Sequence, residues 1–446
     1  MKKSAWRYIF KSEDIRKKIL ITLGLLAIYR LASNIPVPGV NQEALAALAT
    51  GGGAAGNLFN LLDLLSGGTV SRFSILAMGV YPYITAQIIL QLLIPIIPAL
   101  ERKMKENPTE GKKWMERWTV IGTIPMALLS AIGQINLFSS AAGGVSIIND
   151  FGFTGANLLP SVTILVSMVA GTMFGIWLGQ LISEYGIPNQ GLSLIIFAGI
   201  ISRMPQNLFG LLSDKQNGWW MFSLMVILLV LIIYAIVYVQ QGRRNVRVMF
   251  PGRRVGNRMS MPVKSNLPLM VNMAGMIPLI FAQSILTFPA IVAGFFIRSE
   301  TEWVVNVAQW VTDTFGGGNV TYAFLYFLMV VGFTFFYTSV LFQQQNYGDN
   351  LKRQGAQIPG VTRGAATQRY LNKVQQRITF VGAFFLGFVA ALPYLLGFMI
   401  PALGQSGLFV ISAAGLLIVV GVVRDTFQII ETELKLHGYD ESLIKG

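Results

Sequence analysis

Apolar residues along this chain gather into long, nearly uninterrupted runs separated by short polar or basic stretches. Ten runs lie near residues 19–38, 72–97, 118–138, 158–182, 191–211, 219–240, 267–297, 321–342, 378–400 and 408–423. They meet or approach the roughly 20 residues a helix needs to cross a hydrocarbon core about 30 Å thick. A membrane barrel would show short alternating segments instead. The pattern therefore predicts an all-α polytopic membrane protein with ten transmembrane helices. One shorter run stands apart. In "NLFNLLDLLSGG", Asn57, Asn60 and Asp63 recur every third residue and form one polar stripe on a helix spanning 57–66, whose other members are Leu58, Phe59, Leu61, Leu62, Leu64, Leu65 and Ser66. Such a helix is about 15 Å long and cannot cross. Gly51 to Gly53 before it and Gly67 and Gly68 after it supply joints that could move. Two readings stay open: an interfacial helix on the outer surface, or a movable stopper dipping into a funnel.

The runs are not independent of one another. Shifting "GVYPYITAQIIL" by 196 positions lays Gly79, Pro82, Ile84, Ala86, Gln87, Ile89 and Leu90 on Gly275, Pro278, Ile280, Ala282, Gln283, Ile285 and Leu286. Glycine, proline and glutamine recurring inside apolar spans point to a duplicated element. The copies fall in spans two and seven, an odd number of crossings apart, so the second runs in the opposite direction. The chain thus reads as two inverted five-helix halves, 1–218 and 219–446. A fainter echo joins "LIIFAGI" at Leu194 to "LLIVVGV" at Leu416. Inverted repeats place a working site near the midplane between them. Thr85, Gln87, Asn272 and Gln283 near that seam can serve as glue in a static bundle or as polar groups that water also satisfies when the seam opens.

Charge adds direction. Placing the N-terminus inside puts 29 of the 34 Lys and Arg on the cytoplasmic side, leaving Arg72, Lys215 and Arg298 outside and Arg30 and Arg203 within spans. Cytoplasmic retention of Lys and Arg beside helices therefore predicts that both termini are cytoplasmic. Seven cations open the chain, but the apolar run behind them has no small-residue cleavage pattern, so it reads as a retained first helix. Two cytoplasmic loops, 241–266 and 343–377, concentrate cations: Arg243, Arg244, Arg247, Arg253, Arg254 and Arg258 in the first, Lys352, Arg353 and Arg363 in the second. Part of this charge sets orientation and attracts anionic lipids. Apolar and turn residues such as "VMFPG" and "IPGV" point in addition to folded projections that meet a partner.

Composition narrows the chemistry. The chain has 446 residues, 53% of them hydrophobic and 12% charged, with no cysteine and one histidine, His437. Disulfides and thiolate metal sites are excluded, and no nucleophile–base or metal-ligand constellation marks an enzyme. Intramembrane carboxylates of the kind a proton relay needs are nearly absent, and no cofactor is expected.

Four stretches, "LAMGVYPYITAQIILQLL", "LPLMVNMAGMIPLIFAQSIL", "LLSGGTVSRFSI" and "NLKRQGAQIPG", resemble the SecY family, whose members form the central subunit of the bacterial protein-conducting channel. The likeness covers essentially the whole chain. It implies an hourglass pore between the two halves, constricted by an aliphatic ring of Ile84, Ile88, Ile196, Ile200, Ile280 and Ile418. The residues lend partial support: Ile84 and Ile88 share a helix face, as do Ile196 and Ile200, and the two repeats lay Ile84 on Ile280 and Ile196 on Ile418. The resemblance further implies that helix 57–66 is the stopper. It places a lateral gate at Thr85, Ser130, Asn272 and Phe288, with Ser130 at a position where the family also admits glutamine. The basic loops would dock the SecA motor or the ribosome, with SecE and SecG as companion subunits and preproteins or their signal peptides as substrates, in a bacterial inner membrane. One departure stands out: after "PG" the family has an aliphatic residue and then Arg-Pro-Gly, whereas Val361, Thr362, Arg363 and Gly364 follow here, which displaces the arginine by one place. The alternatives are a secondary transporter for a small solute, which would need a compact polar midplane site, and a simple ion channel, which the apolar ring opposes.

Overall fold

The computed structural model describes residues 12–41, 43, 45, 63, 66, 68–94, 96–141, 147–148, 151–152, 155–212, 218–250, 254–255, 258–259, 263–297, 301–316, 319–399 and 413–436. Each of the ten apolar runs holds a helix. In order these are α1 (Glu13–Ala32), α2 (Tyr81–Leu93), α4 (Pro108–Ala141), α5 (Leu158–Tyr185), α6 (Gly191–Leu212), α7 (Gly218–Gln241), α8 (Ile277–Ala293), α10 (Val320–Gln344), α12 (Ala365–Met399) and α13 (Ala413–Leu436). Between them lie α3 (Pro98–Glu106), α9 (Glu302–Phe315) and α11 (Tyr347–Arg353). Among the described residues five helices are long and apolar enough to cross a membrane by themselves, or six if the bent pair α2–α3 counts as one span. The chain is a multi-pass membrane protein.

Several boundaries differ from the hydropathy reading, for identifiable reasons. Helix α1 begins six residues before the apolar run because Glu13 and Asp14 occupy its first turn, where carboxylates complement the helix dipole, and Glu13 pairs with Lys17 at 3.0 Å. Run two is not one helix. Residues 70–80 form turns, α2 follows with 13 residues, and the chain then bends by 101° into α3. Irregular backbone at membrane depth is tolerated only where protein covers it, and Thr69, Val70, Phe73, Leu76 and Met78 are all buried. Its polar groups are satisfied nearby: the Ile75 amide donates to Ile35 O, the Val37 amide to Phe73 O, and the Thr69 hydroxyl to Leu76 O at 2.8 Å. Phe73 holds a φ of 43°, a conformation costing about 1–2 kcal/mol for an L-residue. Its full burial returns about 1.5–3 kcal/mol.

The 196-residue repeat is visible in the backbone. Helix α2 starts at Tyr81 and α8 at Ile277, the same shift. Gly79 and Gly275 both adopt positive φ, 52° and 65°, and Pro82 and Pro278 stand at the second helical position of their helices, where a missing N–H costs nothing. The residues that looked out of place inside a span therefore build a joint and a helix start, once in each copy.

The described chain forms two compact units. The first comprises Met1–Met225, Gln283–Ala323 and Pro393–Gly446. Its core joins Val70, Phe73 and Met78 of the turn segment to Ala127, Ala131 and Ile135 of α4, Met168 of α5 and Ala290 of α8. Helices α1, α5 and α6 pack on one another, and α13 packs on α6. Within this unit α9, which the sequence reading missed, exposes Trp303, Val307 and Trp310 along one stripe, as a helix lying at a membrane–water interface does. The second unit comprises Val226–Ala282 and Phe324–Leu392. It holds the β-strands found among the described residues. Strand β1 (Arg243–Phe250) pairs antiparallel with β4 (Val263–Met270), from Arg243 opposite Met270 to Phe250 opposite Val263. A second pairing joins β2 (Arg254–Val255) to β3 (Arg258–Met259) nearer the tip. The alternation of exposed arginine with buried Val246 and Val248 in β1 is the period-two pattern of a half-buried strand.

Candidate functional site

Helix α8 is clasped from two sides within the first unit. From α2, the Tyr81 hydroxyl donates to Ser284 O at 3.0 Å. From α4, Gly133 lies so close that a Cβ there would come within 2.7 Å of Ile291 O and 2.5 Å of Ile291 Cγ2. The absence of a side chain at Gly133 is what lets the two helices meet. Around this seam Thr85, Ser130, Gln134, Gln283, Ser284 and Thr287 are all buried. The Thr85 and Thr287 hydroxyls turn back onto their own helices, to Tyr81 O and Gln283 O, whereas Gln134 Oε1 and the Ser284 hydroxyl have no hydrogen-bond partner among the described residues. The Tyr81–Ser284 hydrogen bond and close packing join the seam, and it carries polar atoms that water could satisfy if it parted.

Of the gate residues expected from the sequence, Thr85 and Ser130 are buried on α2 and α4, and Phe288 is half-buried on α8. Asn272 lies in the second unit, ahead of α8 and not within it. Its amide donates to Gly275 O at 3.0 Å, steadying the glycine joint, while its Oδ1 is buried without a partner among the described residues. Tyr81, Gly133, Gln134 and Ser284 were missed. Gly133 was the one with a signal, in the small-residue sequence "SAIGQ"; Tyr81 and Ser284 meet across 203 positions, which no local pattern reveals.

Ile88, Ile196, Ile200 and Ile418 are buried, and Ile84 and its repeat partner Ile280 are both half-buried. Five of the six belong to the first unit, where the packing of α6 on α13 brings together the helices carrying Ile196, Ile200 and Ile418; Ile280 belongs to the second. Of the helix expected at 57–66, Asp63 and Ser66 lie among the described residues, and the other eight do not. Asp63 is 7% exposed. Its carboxylate accepts the Ser71 amide at 2.7 Å and its carbonyl the Gly68 amide at 2.6 Å. Ser66 is pressed against Gly79, where a Cβ would stand 3.1 Å from Ser66 Cα.

In the second unit the two basic loops share one core. Val246, Val248 and Leu269 of the hairpin pack with Leu351, Ile358 and Leu371 of the other loop, and Met249 and Gln357 exchange both backbone hydrogen bonds, 2.8 and 2.9 Å. Arg243, Arg244, Arg247, Lys352, Arg353 and Arg363 are exposed on this shared platform. Arg254 and Arg258 lie on the short inner strands, and Arg253 is outside the described residues. The displaced Arg363 donates from Nε to Gln357 Oε1 at 3.3 Å.

A family model described as SecY matches residues 74–427. The chain belongs to the SecY family. Among its SecY relatives, the "Protein translocase subunit SecY" of Halalkalibacterium halodurans is 38% identical over 444 residues, covering 97% of both chains. That of Chlamydia trachomatis serovar D is 35% identical over 98% of both chains, and that of Streptomyces scabiei 34% identical over 98% of this chain and 99% of its own. The fold is similar to a solved structure described as "The structure of a protein conducting channel", with a TM-score of 0.62 at 17% identity, covering 96% of this chain and 95% of the other. It is also similar to "Sec61 in the Canine ribosome-channel complex from the endoplasmic reticulum", with a TM-score of 0.59 at 17% identity over the same shares. At that identity the likeness speaks to the SecY fold alone.

Proposed function

We infer that this SecY-family chain is the channel subunit of a protein translocase, moving unfolded polypeptides across the membrane and releasing apolar segments sideways into lipid. Full-length kinship with translocase subunits supports this, and so does the clasp on α8, the observation that carries the mechanism. A seam joined by the Tyr81–Ser284 hydrogen bond and the close approach at Gly133 can part at the cost of that bond and of the apolar contacts that Ala290 makes in the shared core. We propose the six isoleucines as the constriction, which sheds water and resists ions yet offers a passing peptide nothing specific to bind. Residues 57–66 are proposed as the stopper, and Thr85, Ser130, Asn272 and Phe288 as the gate.

The exposed cations of the shared platform suit a docking surface. Arg243, Arg244, Arg247, Lys352, Arg353 and Arg363, with Arg254 and Arg258 on the short strands and Arg253 next to them in sequence, would meet a SecA-type motor or the ribosome, whose RNA phosphates make such contact salt-dependent. The ribosome-bound Sec61 among the structural neighbours favours the second partner. SecE and SecG are proposed as companion subunits, the bacterial inner membrane as the location, and the cytoplasm as the side of both termini.

The test is a stalled preprotein threaded into proteoliposomes with motor and ATP. Single cysteines replace Ile84, Ile196, Ile280 or Ile418, a clean design because the chain has no native thiol. Crosslinks from all four positions to the stalled segment are expected. Efficient import without any such crosslink would overturn the ring, and solute exchange without import would favour a transporter.

A further inference from the structure

Within the first unit, helix α9 presents three different faces. At 3.6 residues per turn, Ala308 and Thr312 share one side and are buried. Phe315 at the end of the helix packs, with Ile297 ahead of it, against the core of the unit. On a second side Glu302, Asn306, Gln309 and Asp313 are all exposed. On the third Trp303, Val307 and Trp310 are 68%, 52% and 65% exposed, and half-buried Val304 and Val311 continue this apolar face toward the packed side. A surface helix surrounded by water would be polar on both open sides. Here the surroundings must change from aqueous to apolar across the roughly 10 Å width of one helix, as they do at the boundary between lipid headgroups and acyl chains.

The tryptophans favour lipid as the occupant of the third face. An indole ring is amphipathic and settles at headgroup level. Trp219 and Trp220, 77% and 73% exposed, mark that level at the start of α7, where a spanning helix enters the membrane. Two crossings, by α7 and α8, then return the chain to the same membrane face at α9. Lipid charge plays no part in the fit. Glu302 and Asp313 are the ionisable side chains of α9, and both lie on its polar side, so the helix brings no Lys or Arg to grip an anionic headgroup. What it matches is the apolar–polar boundary itself.

We propose that α9 lies in the headgroup–acyl boundary on that face, seated by Trp303 and Trp310 without regard to lipid charge. Since α8 ends at Ala293 and α9 begins at Glu302, the bilayer surface then anchors the adjoining end of α8. This holds whether or not α8 moves as a gate, so the two readings fail separately. The test places single cysteines, Val307→Cys, Asn306→Cys or Gln309→Cys, in the full chain, which has no native thiol. Each carries a nitroxide label in phosphatidylcholine proteoliposomes. Electron paramagnetic resonance then reads collisions with oxygen, which concentrates in lipid, and with a nickel chelate present in the water on both sides. The label at 307 should meet mainly oxygen, at a depth of about 5–10 Å, and those at 306 and 309 mainly nickel. Trp303→Ser together with Trp310→Ser, which alters only exposed side chains, should move the 307 label outward by about 5 Å. Replacing half of the phosphatidylcholine with phosphatidylglycerol should leave its depth unchanged. Nickel collisions at 307 equal to those at 309 would put the third face in water, and few collisions with either reagent would mean that a second copy or a companion subunit covers it. Either result overturns the proposal. An unmoved label in the double serine variant would remove the tryptophans as anchors, and a deeper one in the anionic vesicles would overturn the indifference to charge.

Discussion

Arg30 shows how a single residue can govern a proposed pore element from outside it. It lies in the last turn of α1 and donates to Ala198 O at 2.6 Å, to Gly199 O at 2.9 Å and to the Ser202 hydroxyl. A cation at the centre of a membrane helix costs about 2.5–3.5 kcal/mol on insertion scales, and a hydrogen bond to a charged group contributes about 1.5–3 kcal/mol. Two or three such bonds offset the cost. The carbonyls they grip lie between Ile196 and Ile200, so Arg30 fixes the stretch of α6 that presents two proposed ring positions. Arg30→Leu should therefore lower stability to unfolding in detergent by about 1.5–3 kcal/mol and allow export of preproteins with weakened signal sequences, while Arg30→Lys should do both to a lesser degree. Normal melting together with normal signal stringency in Arg30→Leu would mean that α6 is positioned by other contacts.

At the level of elements, the two joints ahead of α2 and α8 offer a matched comparison. Gly79 and Gly275 share a left-handed conformation, so alanine at either costs about 1 kcal/mol in backbone strain. Their surroundings differ: a Cβ at Gly275 meets nothing within 4 Å, whereas at Gly79 it stands 3.1 Å from Ser66 Cα. Gly79→Ala should accordingly push Ser66, the end of the proposed stopper, and raise resting ion current in planar bilayers, while Gly275→Ala should lower stability by a similar amount without current. Equal currents would detach Ser66 from any sealing role. This pair also marks what the sequence could disclose. The repeat of Gly79, Pro82 and Gln87 was legible because identical residues at a fixed shift need no knowledge of partners. Residues 72–80 of the turn segment were read as helix because hydropathy registers burial and not backbone conformation, and Phe73 and Met78 are as buried as any helical residue. In β1 the alternation of Arg247 with Val246 and Val248 was present in the sequence, but six arginines between residues 243 and 258 drew attention to charge ahead of periodicity. The clasp of Tyr81 on Ser284 depends on which helices become neighbours, information that belongs to the fold.

For the molecule as a whole the decisive property is tightness at rest, and two barriers are proposed: the isoleucine ring and the stopper helix at 57–66. If both seal the same path they act in series, and the behaviour of barriers in series differs from that of either alone. An ion must pass both, so weakening one leaves leakage limited by the other. Ile418→Asn places an amide in a constriction that otherwise sheds water, and the side chain it replaces is 2% exposed, so the change should wet the ring. Deleting residues 57–66 removes the second obstacle. Each change alone should raise resting conductance modestly, because one intact barrier remains, and the two together should exceed the sum of the separate increases. The Tyr81→Phe change supplies a control, since it loosens the clasp on α8 by roughly the ~1 kcal/mol of one hydrogen bond without touching either barrier. It should ease insertion of apolar segments more than it raises current. A double variant whose increase merely equals the sum of its parents' increases would place the two barriers on different paths, and one that leaks no more than Ile418→Asn alone would return the stopper to a helix resting at the outer surface.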